Sequence, residues 1–265
     1  MFLVSSILDR YYRSRLKNRQ TRQQYYQKAL RKELRASKFG QIALRNLNEL
    51  MAENPAWHEE FRMTLNGQDY QAAFWESDLG YLWYQGNLHA QNSYFNLALE
   101  HIRTKGLNSV LDVGCGWGEF IAKASALPTV KNALGIDISS NIIEKARQLY
   151  PLLKFEHKDI MDVPGSFDLV TFFGSTDYIH PSAFSASLQK ALSIASKEIL
   201  LVNSLRKVAY DQALHLQTSV EVQRYDTGYV HPISFLLDGM KDKYDFTYTI
   251  EKAGMDSILV TILKK

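Results

Sequence analysis

The chain has 265 residues, 46% of them hydrophobic, and carries 31 Lys and Arg against 28 Asp and Glu. This length and composition allow one large hydrophobic core with an appended element. No apolar run reaches the about 20 residues that span a bilayer, and the apolar start at 2–8 is too short for a signal peptide with its cleavage site. Cys115 is the single cysteine, which excludes an internal disulfide. We therefore expect a cytoplasmic protein.

Charge is distributed unevenly along the chain. Residues 1–40 contain eleven Lys and Arg against Asp9 and Glu33, whereas residues 41–265 contain 20 basic and 26 acidic residues. This pattern predicts a basic amino-terminal arm and a mildly acidic body. Three roles remain open for the arm: a solvated helix face that packs on the body or on a partner subunit, attachment to anionic membrane lipid, or binding of RNA or DNA phosphates.

The first part of the chain is predicted to be helical. From Tyr11 to about Leu50 there is no proline, and Leu and Tyr recur at helical spacing among Arg, Lys and Gln, which indicates one or two amphipathic helices. An aromatic-rich region follows, up to Gly86. A further helix is predicted from about Leu88 to Arg103, with Ala90, Tyr94, Leu97, Ala98 and Ile102 on its inner face. We divide the chain into a basic helical extension and cap, 1–87, and a second domain, 88–265.

The second domain alternates strands and helices, a pattern typical of a parallel sheet in an α/β fold. Apolar strands are predicted at 108–113, 131–136, 152–156, 167–173 and 198–203, and helices at 117–126, 139–149 and 182–194. A mixed stretch follows. The last two strands, 246–250 and 258–263, are joined by a short link, which predicts an antiparallel hairpin.

Alternating glycines follow the first predicted strand. Gly114, Gly116 and Gly118 let the backbone turn sharply and let a ligand approach it closely, at the carboxyl end of a parallel strand. A dinucleotide-binding loop would have its third glycine at position 119, where this chain has Glu119. A phosphate-binding loop would continue with Lys and Ser or Thr, where this chain has Glu119 and Phe120. The negative charge of Glu119 beside the loop favours a ligand that bears positive charge.

The segment Leu111–Gly118 resembles the first motif of the class I S-adenosylmethionine-dependent methyltransferases. Three more segments resemble later motifs of that family in the right order: Leu134–Ser139, Phe155–Ile160 and Phe167–Gly174. The resemblance covers about residues 88–265. It implies a doubly wound, seven-stranded, mostly parallel sheet with a reversed last strand, to which this chain adds its amino-terminal helical extension.

The resemblance also implies S-adenosyl-L-methionine as the cofactor and assigns residues to it. Asp112 would orient its methionine part, Asp137 would bind both ribose hydroxyls, and Asp159 would accept a hydrogen bond from the adenine amino group. Ile160 would pack on the adenine, and the end of the fourth strand would line the methyl-transfer site. The other expected contacts are Gly114, Cys115, Gly116, Trp117 and Gly118 in the loop, Ile138 beside Asp137, and Phe173.

The sequence indicates less about the methyl acceptor than about the cofactor. Asp177 and His180 follow the fourth strand, and His231 lies in the insertion after the fifth, so these three are candidate general bases. His180-Pro181-Ser182 can equally be the start of a helix. Trp83, Tyr84, Tyr225 and Tyr229 could border the acceptor pocket.

Two absences in the sequence narrow the chemistry. The Asn/Asp-Pro-Pro-aromatic motif of adenine and amide methyltransferases is missing after the fourth strand, and the seven histidines show no close ligand spacing, so no metal site is predicted. We expect O-methylation of a small molecule or sugar hydroxyl. The alternatives are an enzyme that methylates RNA or protein through its basic arm, and a non-catalytic cofactor-binding protein.

Overall fold

The structure is a computed structural model that describes residues 2–54, 56–65, 70–87, 92–204, 223–225, 228–253 and 257–265. The chain forms two compact units, Met1–Leu88 and His89–Lys265. Across the described ranges, no helix is long and apolar enough to cross a membrane.

The described secondary structure of the first unit consists of helices joined by short turns. Its helices are α1 (Phe2–Leu16), α2 (Arg19–Leu30), α3 (Lys38–Glu53), α4 (Ala56–Met63), α5 (Tyr70–Glu76) and α6 (Asp78–Asn87). The expectation of one or two helices between Tyr11 and Leu50 was wrong, because two side chains start new helices there. Asn18 accepts a hydrogen bond from the Thr21 amide at 3.0 Å, and Ser37 accepts one from the Gly40 amide at 3.0 Å. Such N-caps begin a helix without any proline or glycine as a breaker.

Several cations of the basic arm pair with acids of the same unit. The pairs are Arg13 with Glu49 and Glu53, Arg22 with Glu60, Arg31 with Glu33, Lys32 with Glu76, and Arg35 with Asp78. Arg22 is buried and also donates to the Leu16 and Lys17 carbonyls. The unit therefore neutralises part of the arm's charge internally.

The second unit contains a seven-stranded sheet in the order β3-β2-β1-β4-β5-β9-β8. Its strands are β1 (Ser109–Val113), β2 (Asn132–Asp137), β3 (Lys154–His157), β4 (Phe167–Phe173), β5 (Ala195–Ser204), β8 (Phe246–Lys252) and β9 (Ser257–Lys264), and β6 (Gln223–Tyr225) with β7 (Gly228–Val230) forms a separate two-stranded ribbon. Strands β1 to β5 pair in parallel, and β9 is antiparallel to both β5 and β8. The predicted sheet, with its reversed last strand, is confirmed.

Helices cover both faces of this sheet. They are α7 (Asn92–Lys105), α8 (Glu119–Ser125), α9 (Ser140–Leu149), α10 (Pro181–Ile194) and α11 (Ile233–Asp238). Alternate residues of β4 point to opposite faces: Leu169 packs with α7, α8 and α9, whereas Val170 packs with α10 and α11. On α7, Leu97 is exposed, contrary to expectation, and Phe95 is buried in its place.

The connections define where a ligand can bind. From β1 the chain passes outward to β2 and β3 on one side, and then returns to β4 and β5 on the other side. In such sheets the crevice outside the carboxyl ends of the strands, at the point where the strand order reverses, is the ligand site. That edge carries the glycine loop after β1, residues 174–180 after β4, and the end of β5.

Candidate functional site

The glycine loop after β1 has a backbone that only glycine adopts easily. Gly114, Gly116 and Gly118 have φ values of 72°, 58° and 87°, all in the left-handed region. A Cβ at 118 would overlap the ring of Phe155, and a Cβ at 114 would overlap the Ser175 side chain. Conformation and packing thus both require glycine at these two positions.

Asp137, at the end of β2, holds the loop in place. Its Oδ2 accepts a hydrogen bond from the Gly116 amide at 3.2 Å, and its Oδ1 accepts one from the Ser139 amide at 2.9 Å. Ser139 in turn caps α9. Each carboxylate oxygen can accept more than one hydrogen bond, so this partly buried group retains the capacity to bind a ligand's hydroxyls.

Asp112 lies one residue before the end of β1 and is buried. Burial, with a smaller contribution from the charge of Asp137, raises the pKa of the Asp112 carboxyl to about 7, although the Thr171 hydroxyl donates to its Oδ1 at 2.7 Å and opposes the shift. The carboxyl groups of Asp112 and Asp137 therefore both contribute negative charge near the glycine loop. A cationic ligand group here would favour the ionised form of Asp112.

The third strand contributes Asp159, Ile160 and their neighbours. Asp159 is exposed, and its Oδ1 accepts a hydrogen bond from the Met161 amide at 2.8 Å, which caps a 3₁₀ turn at Ile160–Asp162. Ile160 is buried in the core beneath the turn, so it exposes little surface to a ligand. Ile138, after β2, is 40% exposed and is open to contact.

The remaining residues expected at the cofactor are buried. The Cys115 side chain occupies the space that a Cβ on Gly135 would fill, and burial raises the pKa of its thiol well above the usual value, so the thiol is neutral. Trp117 lies with its ring 5.8 Å from the Lys145 ammonium. Phe173 packs edge-on against Phe120 in the core. The roles expected of Cys115, Trp117 and Phe173 at a cofactor stay predictions.

On the other side of the loop, a buried polar network joins the ends of β4 and β5. Asp177 lies in the 3₁₀ turn Thr176–Tyr178, and its Oδ1 accepts a hydrogen bond from Asn203 Nδ2 at 2.5 Å. The same nitrogen lies 3.3 Å from Thr176 Oγ1 and 3.4 Å from the Tyr229 carbonyl oxygen. Sequence reasoning missed Asn203; its one signal was a polar residue directly after the apolar run of β5.

His231, directly after β7, joins this network. It is 1% exposed, its Nε2 donates to the Thr176 carbonyl at 3.0 Å, and its ring stacks on Phe184 at 3.9 Å. Burial lowers the pKa of His231 to about 4, against the opposing effect of the Thr176 and Ile179 backbone. The imidazole is therefore neutral at pH 7. Because Nε2 carries the proton for the Thr176 carbonyl, Nδ1 has a lone pair.

His180 has a different environment. It is exposed, and its Nδ1 accepts a hydrogen bond from the Ser182 amide at 3.3 Å, so His180 itself is the N-cap of α10. Its ring centre lies 5.7 Å from that of Tyr229. The fold thus brings two of the three candidate bases, Asp177 and His231, into one network and places His180 at its outside.

Some expectations stay untested. The side chains of Trp83 and Tyr225 fall outside the described residues, and Tyr84 belongs to the first unit. Within the described ranges, no three His, Cys, Asp or Glu side chains come together as metal ligands do.

Residues 110–197 match the model of a family described as "Methyltransferase domain". The chain is 42% identical over 62 residues to trans-aconitate 2-methyltransferase of Deinococcus radiodurans, which covers 23% of this chain and 24% of that protein. It is 35% identical over 78 residues to the mitochondrial ubiquinone biosynthesis O-methyltransferase of Saccharomyces cerevisiae, covering 27% and 25%. The chain thus matches about a quarter of the length of these curated relatives.

The fold also occurs among solved structures. Magnesium protoporphyrin IX methyltransferase from Synechocystis PCC 6803, crystallised with bound SAH, superimposes with a TM-score of 0.52 at 16% identity, over 68% of this chain and 87% of that one. At this identity the likeness establishes a common fold.

Proposed function

We propose that this chain, whose residues 89–265 form a class I methyltransferase domain, transfers the methyl group of S-adenosylmethionine to a hydroxyl group of a small molecule or sugar. The observation that carries the proposal is the position of Asp137. Its carboxylate lies at the end of β2 and is bonded to the Gly116 and Ser139 amides, at the edge where the glycine loop makes room for a ligand.

The residues present fit this cofactor. Asp137 offers charge-assisted acceptors for a ribose diol, and Asp112 and Asp137 favour a ligand that carries an ammonium and a sulfonium. Asp159, at the next strand end, is exposed and is suited to accept from an adenine amino group. When bound, the cofactor supplies an already electrophilic methyl group, so the protein mainly has to align the acceptor with it.

A hydroxyl acceptor suits the network at β4 and β5. A hydroxyl becomes a better nucleophile when a positioned group accepts its proton, and this network contains Asp177 and a neutral His231. Both are buried, so the reaction would take place away from bulk water. These features support a hydroxyl acceptor, while the missing Asn/Asp-Pro-Pro-aromatic motif lowers the rank of adenine and amide nitrogen.

Calorimetry of the full chain with S-adenosylmethionine tests the first step. We expect Asp137→Ala to weaken binding by about 100-fold, because two charge-assisted hydrogen bonds are lost. Asp242→Ala, which removes an exposed carboxylate in the same domain, should leave the affinity unchanged. Absence of binding by the unmodified chain would contradict the proposal.

Transfer of labelled methyl groups to a fractionated cell extract tests the second step. Label in the small-molecule or polysaccharide fraction supports the proposal. Label in RNA or protein would favour the alternative that the basic arm recruits a macromolecule. Tight cofactor binding without any transfer would instead favour a non-catalytic cofactor-binding protein.

The arm itself has weaker support as an anionic-surface site. Arg13, Arg22 and Arg35 already pair with acids of their own unit, which leaves fewer cations for phosphates. Binding to RNA and to vesicles containing anionic lipid, each measured at low and high salt, separates the two attachments; a steep loss of affinity with salt would restore the role of the arm.

A further inference from the structure

We propose that Asn203 and His231 form an acceptor subsite, defined by the atoms Asn203 Oδ1 and His231 Nδ1, that binds the hydroxyl group of the methyl acceptor. This inference rests on the proposed function and specifies the substrate class. Among the residues that the structure describes, these two atoms are buried and have no hydrogen-bond partner. A buried polar atom without a partner destabilises the fold, so two in one network point to a ligand that donates hydrogen bonds there.

The orientation of Asn203 follows from its neighbours. Its amide nitrogen is surrounded by three acceptors: Asp177 Oδ1 at 2.5 Å, Thr176 Oγ1 at 3.3 Å, and the Tyr229 carbonyl at 3.4 Å. Thr176 Oγ1 is a net acceptor here because its own proton goes to the Val202 carbonyl at 3.0 Å. The NH₂ group must therefore face this side, which leaves Oδ1 as the atom available to a ligand.

His231 is oriented by the same reasoning. Its Nε2 lies 3.0 Å from the Thr176 carbonyl, which can only accept, so the ring proton resides on Nε2. Stacking on Phe184, with an interplanar angle of 14°, holds the ring in place. Nδ1 is then a fixed lone pair, and Thr176 connects it to Asn203 within one network.

The subsite lies directly beside the glycine loop. Ser175 precedes Thr176 in the chain, and its hydroxyl donates to the Val113 carbonyl at 2.6 Å. Its side chain fills the space that a Cβ on Gly114 would occupy. The cofactor loop and the network are thus separated by a single residue, as transfer between two bound groups requires.

The chemistry of the subsite selects its occupant. Asn203 Oδ1 and His231 Nδ1 both accept hydrogen bonds, and the neighbouring carboxylate of Asp177 also accepts. A group that presents only lone pairs, such as a carboxylate or a phosphate, would leave both atoms unsatisfied and would be repelled by Asp177. A hydroxyl donates one hydrogen bond, which one of these two atoms accepts. The subsite therefore favours a hydroxyl-bearing acceptor and disfavours a carboxylate.

His231→Gln tests the subsite in the full chain, because the glutamine amide can still donate to the Thr176 carbonyl while the Nδ1 lone pair is lost. The probe is labelled transfer to the small-molecule fraction of a cell extract, measured over a dilution series. We expect the amount of fraction needed for half-maximal rate to rise at least tenfold, with the dissociation constant of S-adenosylmethionine unchanged within twofold. Equal dependence on the fraction in variant and unmodified chain would overturn the subsite.

His101→Gln is the matched control. His101, on α7, bonds to Glu198 at 2.7 Å, away from the carboxyl edge of the sheet. The same substitution there should leave the dependence on the extract fraction unchanged. A tenfold rise in this variant as well would show that loss of a partly buried histidine, and not loss of the subsite, causes the effect.

Two further measurements keep this inference separate from the proposed function. Imidazole ¹⁵N NMR of the unmodified chain, assigned by the signal lost in His231→Gln, should show a proton on Nε2 and none on Nδ1; a proton on Nδ1 overturns the subsite whether or not transfer occurs. Mild alkali should leave the labelled product intact, as it leaves a methyl ether. Release of the label as methanol would identify a methyl ester, which overturns the hydroxyl subsite but leaves the chain a methyltransferase.

Discussion

The two halves of the sheet's carboxyl edge are built in different ways. On the side where we propose that the cofactor binds, called the cofactor side, the ends of β1, β2 and β3 provide a glycine loop and carboxylates that belong to short continuous segments. On the side where we propose that the methyl acceptor binds, called the acceptor side, the ends of β4 and β5 and the ribbon strand β7 provide a buried side-chain network, with partners up to 55 residues apart in the chain. Backbone conformation therefore shapes the first half, and side-chain packing shapes the second.

Each half also contains a buried titratable group, and the pKa values of these two groups shift in opposite directions. Burial raises the pKa of Asp112 to about 7 and lowers the pKa of His231 to about 4. Both shifts favour the neutral form of a buried group. Their consequences for stability have opposite signs, because one group is an acid and the other is a base.

The largest expected effect comes from Gly118→Ala on the cofactor side. Gly118 and Gly165 have nearly equal φ values, 87° and 85°, but a Cβ at 118 overlaps the Phe155 ring whereas a Cβ at 165 meets nothing within 4 Å. We expect Gly118→Ala to cost about 3 kcal/mol or more in the free energy of unfolding and to abolish cofactor binding, and Gly165→Ala to cost about 1 kcal/mol. Urea unfolding and calorimetry measure both; equal costs would mean that backbone strain alone sets the requirement for glycine.

The acceptor side should control stability at acid pH. Because the pKa of His231 is depressed in the folded state, the unfolded chain binds the proton more readily, so stability is complete above about pH 6.5 and falls as pH decreases toward 4. The shift corresponds to about 3 kcal/mol. Urea unfolding of the unmodified chain and of His231→Gln at pH 7.5 and 4.5 should show this contribution to the pH dependence disappear in the variant; identical pH dependence would contradict it.

Asp112→Asn should raise the stability of the fold and weaken cofactor binding. The raised pKa means that the folded state holds the proton more tightly, so this group's contribution falls as pH rises from about 4 to 7. The amide keeps an acceptor for the Thr171 hydroxyl and carries no charge. We expect about 2 kcal/mol greater stability at pH 8 and about tenfold weaker S-adenosylmethionine binding by calorimetry. A variant that is less stable at pH 8 would refute this account of the buried carboxyl.

The smallest effect is expected at Asp159. Its carboxylate is exposed and caps a short 3₁₀ turn, so Asp159→Ala should cost about 0.5–1 kcal/mol in stability and weaken cofactor binding by about fivefold. Asp162→Ala, in the same turn and also exposed, is the control and should change neither quantity. If both variants bind equally well, Asp159 acts only as a cap.

Prediction from the sequence succeeded where structure depends on neighbouring residues. The loop 114–118 and the strand ahead of it form one continuous segment. The alternating glycines in the sequence indicated its sharp turn, and these glycines have left-handed φ values in the structure. The same holds for the order of strands and helices in the second unit. The one or two helices predicted between Tyr11 and Leu50 were too few because Asn18 and Ser37 act as caps, and such residues are also common in ordinary loops.

The sequence by itself determined the α/β class, the sheet and the loop that marks its ligand edge, because periodicity, glycine positions and acids at strand ends are local properties. Only the tertiary structure decided that Asp177 and His231 share a network with Asn203, that His180 lies outside it as a helix cap, and that several cations of the basic arm pair with acids of the same unit. The physical reason is that burial and hydrogen bonding between distant segments arise only when the chain packs. The pKa and the proton position of His231 depend both on its burial and on its hydrogen bond to Thr176.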